Sequence, residues 1–116
     1  MKDDLIYLEH ILQSIIRIEE YMSGIDFEKF SNNFLLQDGI IRQLEIIGEA
    51  SKHLSEQTIS LKPEIPWRDI IGMRNKLTHD YFGVDIDTVW ETLVEDIPYI
   101  KPFVLELIKI LEKNKS

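Results

Sequence analysis

The chain has 116 residues, a length that favours one domain with its own core and is too short for two. It contains no cysteine, which excludes disulfides, thiolate metal ligands and thiol nucleophiles. A net charge of −8 at pH 7 argues against a protein that binds long nucleic acids through a broad basic face.

The charge and the apolar residues are unevenly distributed along the chain. Residues 77–100 contain no Lys or Arg, whereas Lys62, Arg68, Arg74 and Lys76 form a modest basic cluster just before or at that boundary. This pattern is compatible with a local phosphate site but not with a long polyanion track.

No apolar run approaches the roughly 20 residues that cross a bilayer, and the first ten residues lack a signal-peptide layout. We therefore expect a soluble, cytoplasmic protein with no membrane partner.

The first predicted element is an amphipathic helix from about Asp3 to Met22. Its apolar residues recur at steps of three and four: Leu8, Ile11, Leu12, Ile15, Ile18 and Met22. Gly24 is expected to end it, because glycine accepts the left-handed conformation at a helix C-terminus. Asp26 then caps a short second helix, FEKFS.

A long helix is predicted from about Phe34 to Ser55, with Ile40, Leu44, Ile47 and Leu54 on one face. Gly48 inside it costs up to about 1 kcal/mol relative to alanine, so we expect a close neighbouring helix there. The following stretch, SEQTISLKPEIP, is polar and contains two prolines. It is predicted to be a loop.

Pro66 suits the first turn of the next helix, because its missing N–H has no partner to lose there. That helix is expected to run to near Gly83, with Trp67 as an anchor. Its buried side is formed by Ile70, Ile71, Met73 and Leu77.

Two more helices complete the chain. Asp85 or Asp87 is expected to cap a fifth, TVWETLVED. A sixth starts at about Pro98 or Pro102 and ends near Lys113, with a kink or a late start because Pro102 removes a hydrogen bond. Residues 112–116 are expected to fray. The sequence thus predicts a single all-α domain over residues 1–116: a compact antiparallel bundle of four main helices with one or two short ones.

One polar segment, MRNKLTHDY (residues 73–81), places Arg74, His79 and Tyr81 close together. Arginine grips phosphate and keeps its charge, and histidine moves protons near neutral pH. On an ideal helix the first two lie about 140° apart, so they converge only if the helix loosens or if a second copy contributes. From spacing alone, a polar helix end that favourably meets the negative end of the helix dipole is the favoured interpretation.

The remaining candidate side chains have plainer interpretations. His10 and His53 are isolated and are expected at the surface. Glu49 and His53, four residues apart, have the spacing to share a metal, but an ordinary helix-face pair is favoured and no metal site is predicted. The Glu45–Glu49 pair indicates a solvated face, although such a carboxylate has the chemistry to orient Arg74. Trp90, among apolar neighbours, is expected in the core rather than under a stacked base.

Together with the segments around it, the polar segment resembles a known protein family. RNKLTHDY resembles the R-x(4)-H-x-Y signature of HEPN-superfamily toxins, specifically the HepT-like family. The matching context covers nearly the whole chain, and its segments come in the family's order: LEIIGEASKHL, IPWRDIIGMRNKLTHDYFGVD and TVWETLVEDIPYIKPFV.

The resemblance implies a homodimeric, metal-independent endoribonuclease toxin that needs no cofactor and cleaves tRNA or mRNA. It implies that Arg74 contacts the scissile phosphate and that His79 is the general base or acid. It also implies an antitoxin partner, an MNT-type nucleotidyltransferase that AMPylates Tyr81. Supporting roles would fall to Asn75, Thr78 and Asp80 in the same segment, and the residue pattern adds Glu49 as a carboxylate that could orient Arg74. Two alternatives stay open: an inactive HEPN binding module that partners the nucleotidyltransferase, and a helical dimerisation domain.

Overall fold

The structure of the protein, a computed structural model, describes residues 3–79 and 85–115. For residues 74–79 and 115 it describes the backbone alone. Every regular element within those ranges is helical, as the sequence predicts. The elements are α1 (Asp4–Met22), α2 (Phe27–Ser31), α3 (Phe34–Lys52), α4 (Glu56–Leu61), α5 (Trp67–His79), α6 (Ile86–Glu91), a π-helical turn (Thr92–Asp96) and α7 (Ile97–Lys115).

The predicted apolar stripes of the long helices form the core. α3 packs against both α1 and α5, and α1 also packs against α7. Leu8, Leu44 and Leu107, from three different helices, are fully buried. Burial of these stripes is the dominant favourable contribution to folding, because it removes apolar area from water. The antiparallel arrangement of α1 and α3 brings Tyr21 to within 3.6 Å of a Cβ placed on Gly39, at the start of α3.

The two expected features of the first connection are confirmed. Gly24 has a φ of 72°, a left-handed conformation that glycine adopts without steric cost. The Asp26 carboxylate accepts a 2.9 Å hydrogen bond from the backbone N–H of Lys29 and caps α2. Asn33 caps α3 in the same way, through the N–H of Leu36.

The prediction for residues 53–66 was wrong in two respects. α3 ends at Lys52 instead of Ser55, and residues 56–61 form α4 instead of a loop. Ser55 is the N-cap of α4: its hydroxyl accepts from the N–H of Thr58. A helix this short is marginal by itself. It is held by a tertiary contact, since Thr58 is fully buried and its hydroxyl donates a hydrogen bond to the Asp4 carboxylate of α1.

The start of α5 agrees with the sequence. The helix begins directly after Pro66, whose carbonyl accepts a 3.0 Å hydrogen bond from the N–H of Ile70. Trp67 is an anchor, as expected: its indole is buried, and Nε1 donates to the carbonyl of Lys62 at 3.1 Å. The expected end near Gly83 lies outside the described residues.

The last two predicted helices are joined by helical backbone, so that residues 86–115 are helical without a break. Asp85 is the cap of α6, since its carboxylate accepts from the N–H of Asp87. α7, which corresponds to the sixth helix of the prediction, starts at Ile97, earlier than predicted, and Pro102 lies inside it. The preceding π-helical turn, in which the N–H of Ile97 bonds to the carbonyl of Thr92 five residues back, accounts for the continuity. Such a wide turn changes the hydrogen-bond register just before Pro98, which has no N–H to give.

α7 is helical through Lys115, which includes most of the segment expected to fray. Within the described ranges, no helix combines the length and the apolar character required of a membrane span.

Candidate functional site

The residues of the polar segment lie at the end of α5. Arg74, Asn75, Thr78 and His79 belong to its helical backbone, whereas Asp80 and Tyr81 lie outside the described residues. Because the backbone is helical through His79, the loosening that would bring positions 74 and 79 together does not occur between them. The two positions keep the separation of about 140° around the axis that five residues give. A reaction centre that uses both Arg74 and His79 therefore needs a contribution from a second copy of the chain.

α3 lies beside α5 and carries a second group of polar side chains. Its C-terminal half, together with the start of α1, lines a cleft of about 260 Å³. The described side chains that line it are mostly aromatic or ionisable: Tyr7, His10, Arg42, Glu45, Ile46, Glu49, Ala50 and His53. The cleft is thus a concave, chemically mixed surface on the helix that packs against the one carrying the motif.

The ring of Tyr7 contacts both histidine rings of this cleft. The rings of Tyr7 and His53 stack, with centroids 5.0 Å apart and planes inclined by 16°. His10 meets Tyr7 edge-on, with centroids 6.3 Å apart. His53 Nε2 and Glu49 Oε1 are 3.2 Å apart, a hydrogen bond across one helical turn. The stacking on Tyr7 and the hydrogen bond to Glu49 together fix the orientation of the imidazole.

The cleft bears on two expectations about its side chains. His10 and His53 are exposed, as predicted, but they are not isolated, because both meet Tyr7. Glu49 and His53 form the expected helix-face pair. In the described part of the chain, no group of three or more histidine or acidic side chains is arranged to hold a metal ion.

Other predicted candidates are found elsewhere. Lys62, a member of the basic cluster, lies 2.5 Å from Glu106 on α7 and also lies over the ring of Phe103. Its charge faces a carboxylate, which reduces its value as a phosphate ligand. Trp90 is half-buried against Phe27 and Phe30, with ring centroids 5.6 Å apart in both cases, and so belongs to the edge of the core as expected.

The sequence did not single out Tyr7 or Arg42. Each is an ordinary member of an amphipathic helix, and only the pairing of α1 with α3 brings them to one cleft. The available signal was weak: an aromatic residue and histidines on the polar side of two helices.

Comparison with known proteins defines the class to which this helical fold and motif belong. Residues 11–107 match the family model described as "Ribonuclease HepT-like". The matched region contains the whole of α3 and α5 and therefore the R-x(4)-H-x-Y segment as well as most of the cleft. The class is that of HEPN-type ribonucleases, and this chain belongs to the HepT-like ribonuclease family.

Individual relatives agree with the family match. A protein of Thermococcus cleftensis named "Probable ribonuclease HepT" is 50% identical over 95 residues, which is 82% of this chain and 86% of the relative. A "Putative RNase" of Caldanaerobacter subterraneus is 44% identical over 115 residues, 99% of this chain and 100% of the relative.

A third relative is longer. A protein of Methanocaldococcus jannaschii, named as a gamma-glutamylcyclotransferase and putative RNase, is 44% identical over 115 residues. These residues are 99% of this chain but 52% of the relative, so the chain spans about half of that protein's length. No solved structure gives a significant match.

Proposed function

We propose that the protein is a metal-independent endoribonuclease, the toxin of a toxin–antitoxin pair, whose reaction centre is formed by Arg74 and His79. The observation that carries the proposal is that the family match extends through the complete R-x(4)-H-x-Y segment. The names of the relatives support RNA as the substrate.

The proposed reaction requires only groups that the segment supplies. His79 accepts the proton of a ribose 2′-hydroxyl, and the resulting oxygen attacks the adjacent phosphorus. Arg74 donates hydrogen bonds to the phosphate oxygens and stabilises the charge that develops on them. The bond from phosphorus to the 5′-oxygen breaks, the leaving oxygen takes a proton from water, and His79 then releases the proton that it accepted to the solvent. The products are a 2′,3′-cyclic phosphate and a 5′-hydroxyl.

A homodimer supports this chemistry geometrically. Positions 74 and 79 lie on different sides of α5, so an arginine from one protomer and a histidine from its partner are better placed to face the same phosphate. The described surface also carries apolar area suited to assembly: Phe34 and Leu35, at the start of α3, are 77% and 84% exposed.

Tyr81 is the proposed control point. A cognate MNT-type nucleotidyltransferase would transfer AMP from ATP to its hydroxyl and release pyrophosphate. The added nucleotide carries a negative charge and considerable bulk, so it would exclude RNA phosphate both electrostatically and sterically. The fold would not need to change.

Purified protein incubated with tRNA and mRNA in the presence of a chelator tests the proposal. We expect cleavage that continues in the chelator and is lost in Arg74→Ala and in His79→Ala. Arg17→Ala, an exposed arginine on α1, is the matched control and should cleave normally. Cleavage that survives both motif substitutions, or that stops in the chelator, contradicts the mechanism.

Mass spectrometry tests the regulatory part separately. Co-expression with the nucleotidyltransferase should add AMP to Tyr81 and abolish cleavage, and Tyr81→Phe should remain unmodified. Modification without RNA cleavage under any condition would instead favour the inactive binding module.

A further inference from the structure

A groove of about 250 Å³ lies where the last turns of α1 face α6, the π-helical turn and the start of α7. Of the described side chains that line it, all are apolar except that of Glu19. We propose that this groove, the Trp90 groove, docks a basic amphipathic helix of a partner protein. No step of the RNA reaction enters this inference, which therefore goes beyond the proposed function.

The lining of the Trp90 groove remains open to solvent although it is apolar. Met22, Ile25 and Trp90 are half-buried, and Val94 is 47% exposed. Tryptophan is a residue type that partners bury with large gains in affinity, and methionine adapts its shape to an incoming chain. The volume is below the roughly 300–1,000 Å³ of small-molecule pockets, so the groove suits one or two apolar side chains of a protein.

The rim of the Trp90 groove is acidic. Glu91, Glu95 and Asp96 are exposed next to lining residues, and none of them forms an ion pair with a described side chain. Lys101, a cation of the same region, is already paired with Glu19 at 2.9 Å. Burial and the charge of Glu95 raise the pKa of Asp96, a sign of negative charge without a compensating cation. Lysine or arginine side chains of a partner would supply that cation.

Charge also disfavours two other occupants. A second copy carries the same net charge of −8, and a twofold contact across the groove would place two acidic rims against each other. RNA phosphates would be repelled by the same carboxylates. Every regular element that the structure describes is helical, so the surface offers a groove between helices, into which an amphipathic helix lays its apolar face.

Fluorescence anisotropy with a synthetic peptide tests the groove. The probe is a fluorescein-labelled helix of about 18 residues, with leucine at steps of three and four and lysine on both flanks of that stripe. We expect the lysine peptide to bind. The same peptide with glutamate in place of lysine, or with its residues scrambled, should bind at least about tenfold more weakly.

Matched variants assign the binding to the groove. Val94→Gln should weaken the lysine peptide about fivefold or more, because an apolar contact is lost. Leu105→Gln, at an exposed apolar residue of α7 outside the groove, should bind normally. Glu95→Gln should weaken the peptide about two- to fivefold, the size of an exposed ion pair. Glu112→Gln removes the same charge near the end of α7 and should have little effect.

Trp90 gives a local readout of the same binding. In the Trp67→Phe protein it is the only tryptophan, so its emission reports on the groove. We expect the lysine peptide to shift that emission to shorter wavelength, because the ring leaves water.

No binding, equal binding of the lysine and glutamate peptides, equal affinities of Val94→Gln and Leu105→Gln, or an unchanged Trp90 emission would overturn the inference. Light scattering covers the second copy: a dimer that Val94→Gln converts to a monomer would overturn the inference in favour of self-association. Displacement of the lysine peptide by a single-stranded oligonucleotide would overturn it in favour of RNA.

Discussion

The hydroxyl of Thr58 donates a 2.5 Å hydrogen bond to the carboxylate of Asp4, 54 positions earlier in the chain. The hydroxyl of Ser55 donates to the same carboxylate, also at 2.5 Å, and its backbone N–H donates at 3.2 Å. Asp4 is only 3% exposed. This carboxylate therefore ties the start of α1 to the cap of α4, and it helps to fix the segment which the sequence predicted as a loop.

Removing the charge of Asp4 should destabilise the fold. Hydrogen bonds to a charged group contribute about 1.5–3 kcal/mol, so we expect Asp4→Asn to lower the free energy of unfolding by roughly that amount. Urea denaturation measures the change. Asp3→Asn, an exposed neighbour whose side chain makes no cap hydrogen bond, is the control. Equal losses in the two variants would contradict this account of the carboxylate.

The same carboxylate should make stability depend on pH. Burial by itself raises the pKa of Asp4, but the hydrogen bonds from Ser55 and Thr58 outweigh it and hold the pKa below 3.8. In acid the unfolded chain therefore takes up this proton before the folded chain does. The contribution of Asp4 is complete above that value and is lost as the pH falls through its lower, folded-state pKa.

Urea unfolding between pH 2 and pH 7 provides the measurement. Wild type should lose part of its stability in strong acid, and Asp4→Asn should lose less over the same interval. Parallel curves for the two proteins would show that other groups cause the acid dependence.

Asp96, in the π-helical turn, should act in the opposite direction. Burial, followed by the charges of Glu95 and Asp69, raises its pKa above 3.8. The folded protein therefore holds this proton more tightly than the unfolded chain, so the group lowers stability as the pH rises above 3.8. We expect Asp96→Asn to unfold at a higher temperature than wild type at pH 7, with the difference vanishing in acid. Glu112→Gln, an exposed carboxylate on α7, should have little effect at either pH.

The anchor at the start of α5 gives a further test. Trp67→Phe removes the hydrogen bond to Lys62 and part of a buried ring, so we expect a loss of about 1–3 kcal/mol in the free energy of unfolding. Trp90→Phe is the matched control, because Trp90 is half-buried and the new ring can still pack on Phe27. A larger loss at Trp90 would be inconsistent with the anchoring role of Trp67.

Mixing two inactive variants tests whether the reaction centre is shared between protomers. Arg74→Ala and His79→Ala proteins are each expected to be inactive. After random exchange about half of the dimers are mixed, and each contains one cleft with an intact arginine from one protomer and an intact histidine from the other. We expect RNA cleavage to reappear. If exchange is verified by light scattering and a tagged protomer, and no cleavage returns, the centre lies within one chain.

Much of the fold was predictable because it depends on local signals. The step of three and four residues in α1 and α7 predicts which side of each helix is buried, whatever it is buried against. Asp26 and Asp85 cap helices through N–H groups two or three residues away, so the sequence places both partners. The π-helical turn before Pro98 was not predicted, because proline shows where an N–H is missing but not how the carbonyls around it rearrange.

The sequence by itself therefore determined the helical class, the faces of the long helices, several caps and the R-x(4)-H-x-Y segment that places the chain in its family. Each of these is encoded within about one or two turns of chain. Only the tertiary structure decided that residues 56–61 are helical, that Asp4 meets Thr58, and that Tyr7 stacks on His53. Those partners lie more than 40 positions apart, and an apolar stripe does not specify which helix it packs against. Their meeting depends on the pairing and angle of whole helices, which only the packed core determines.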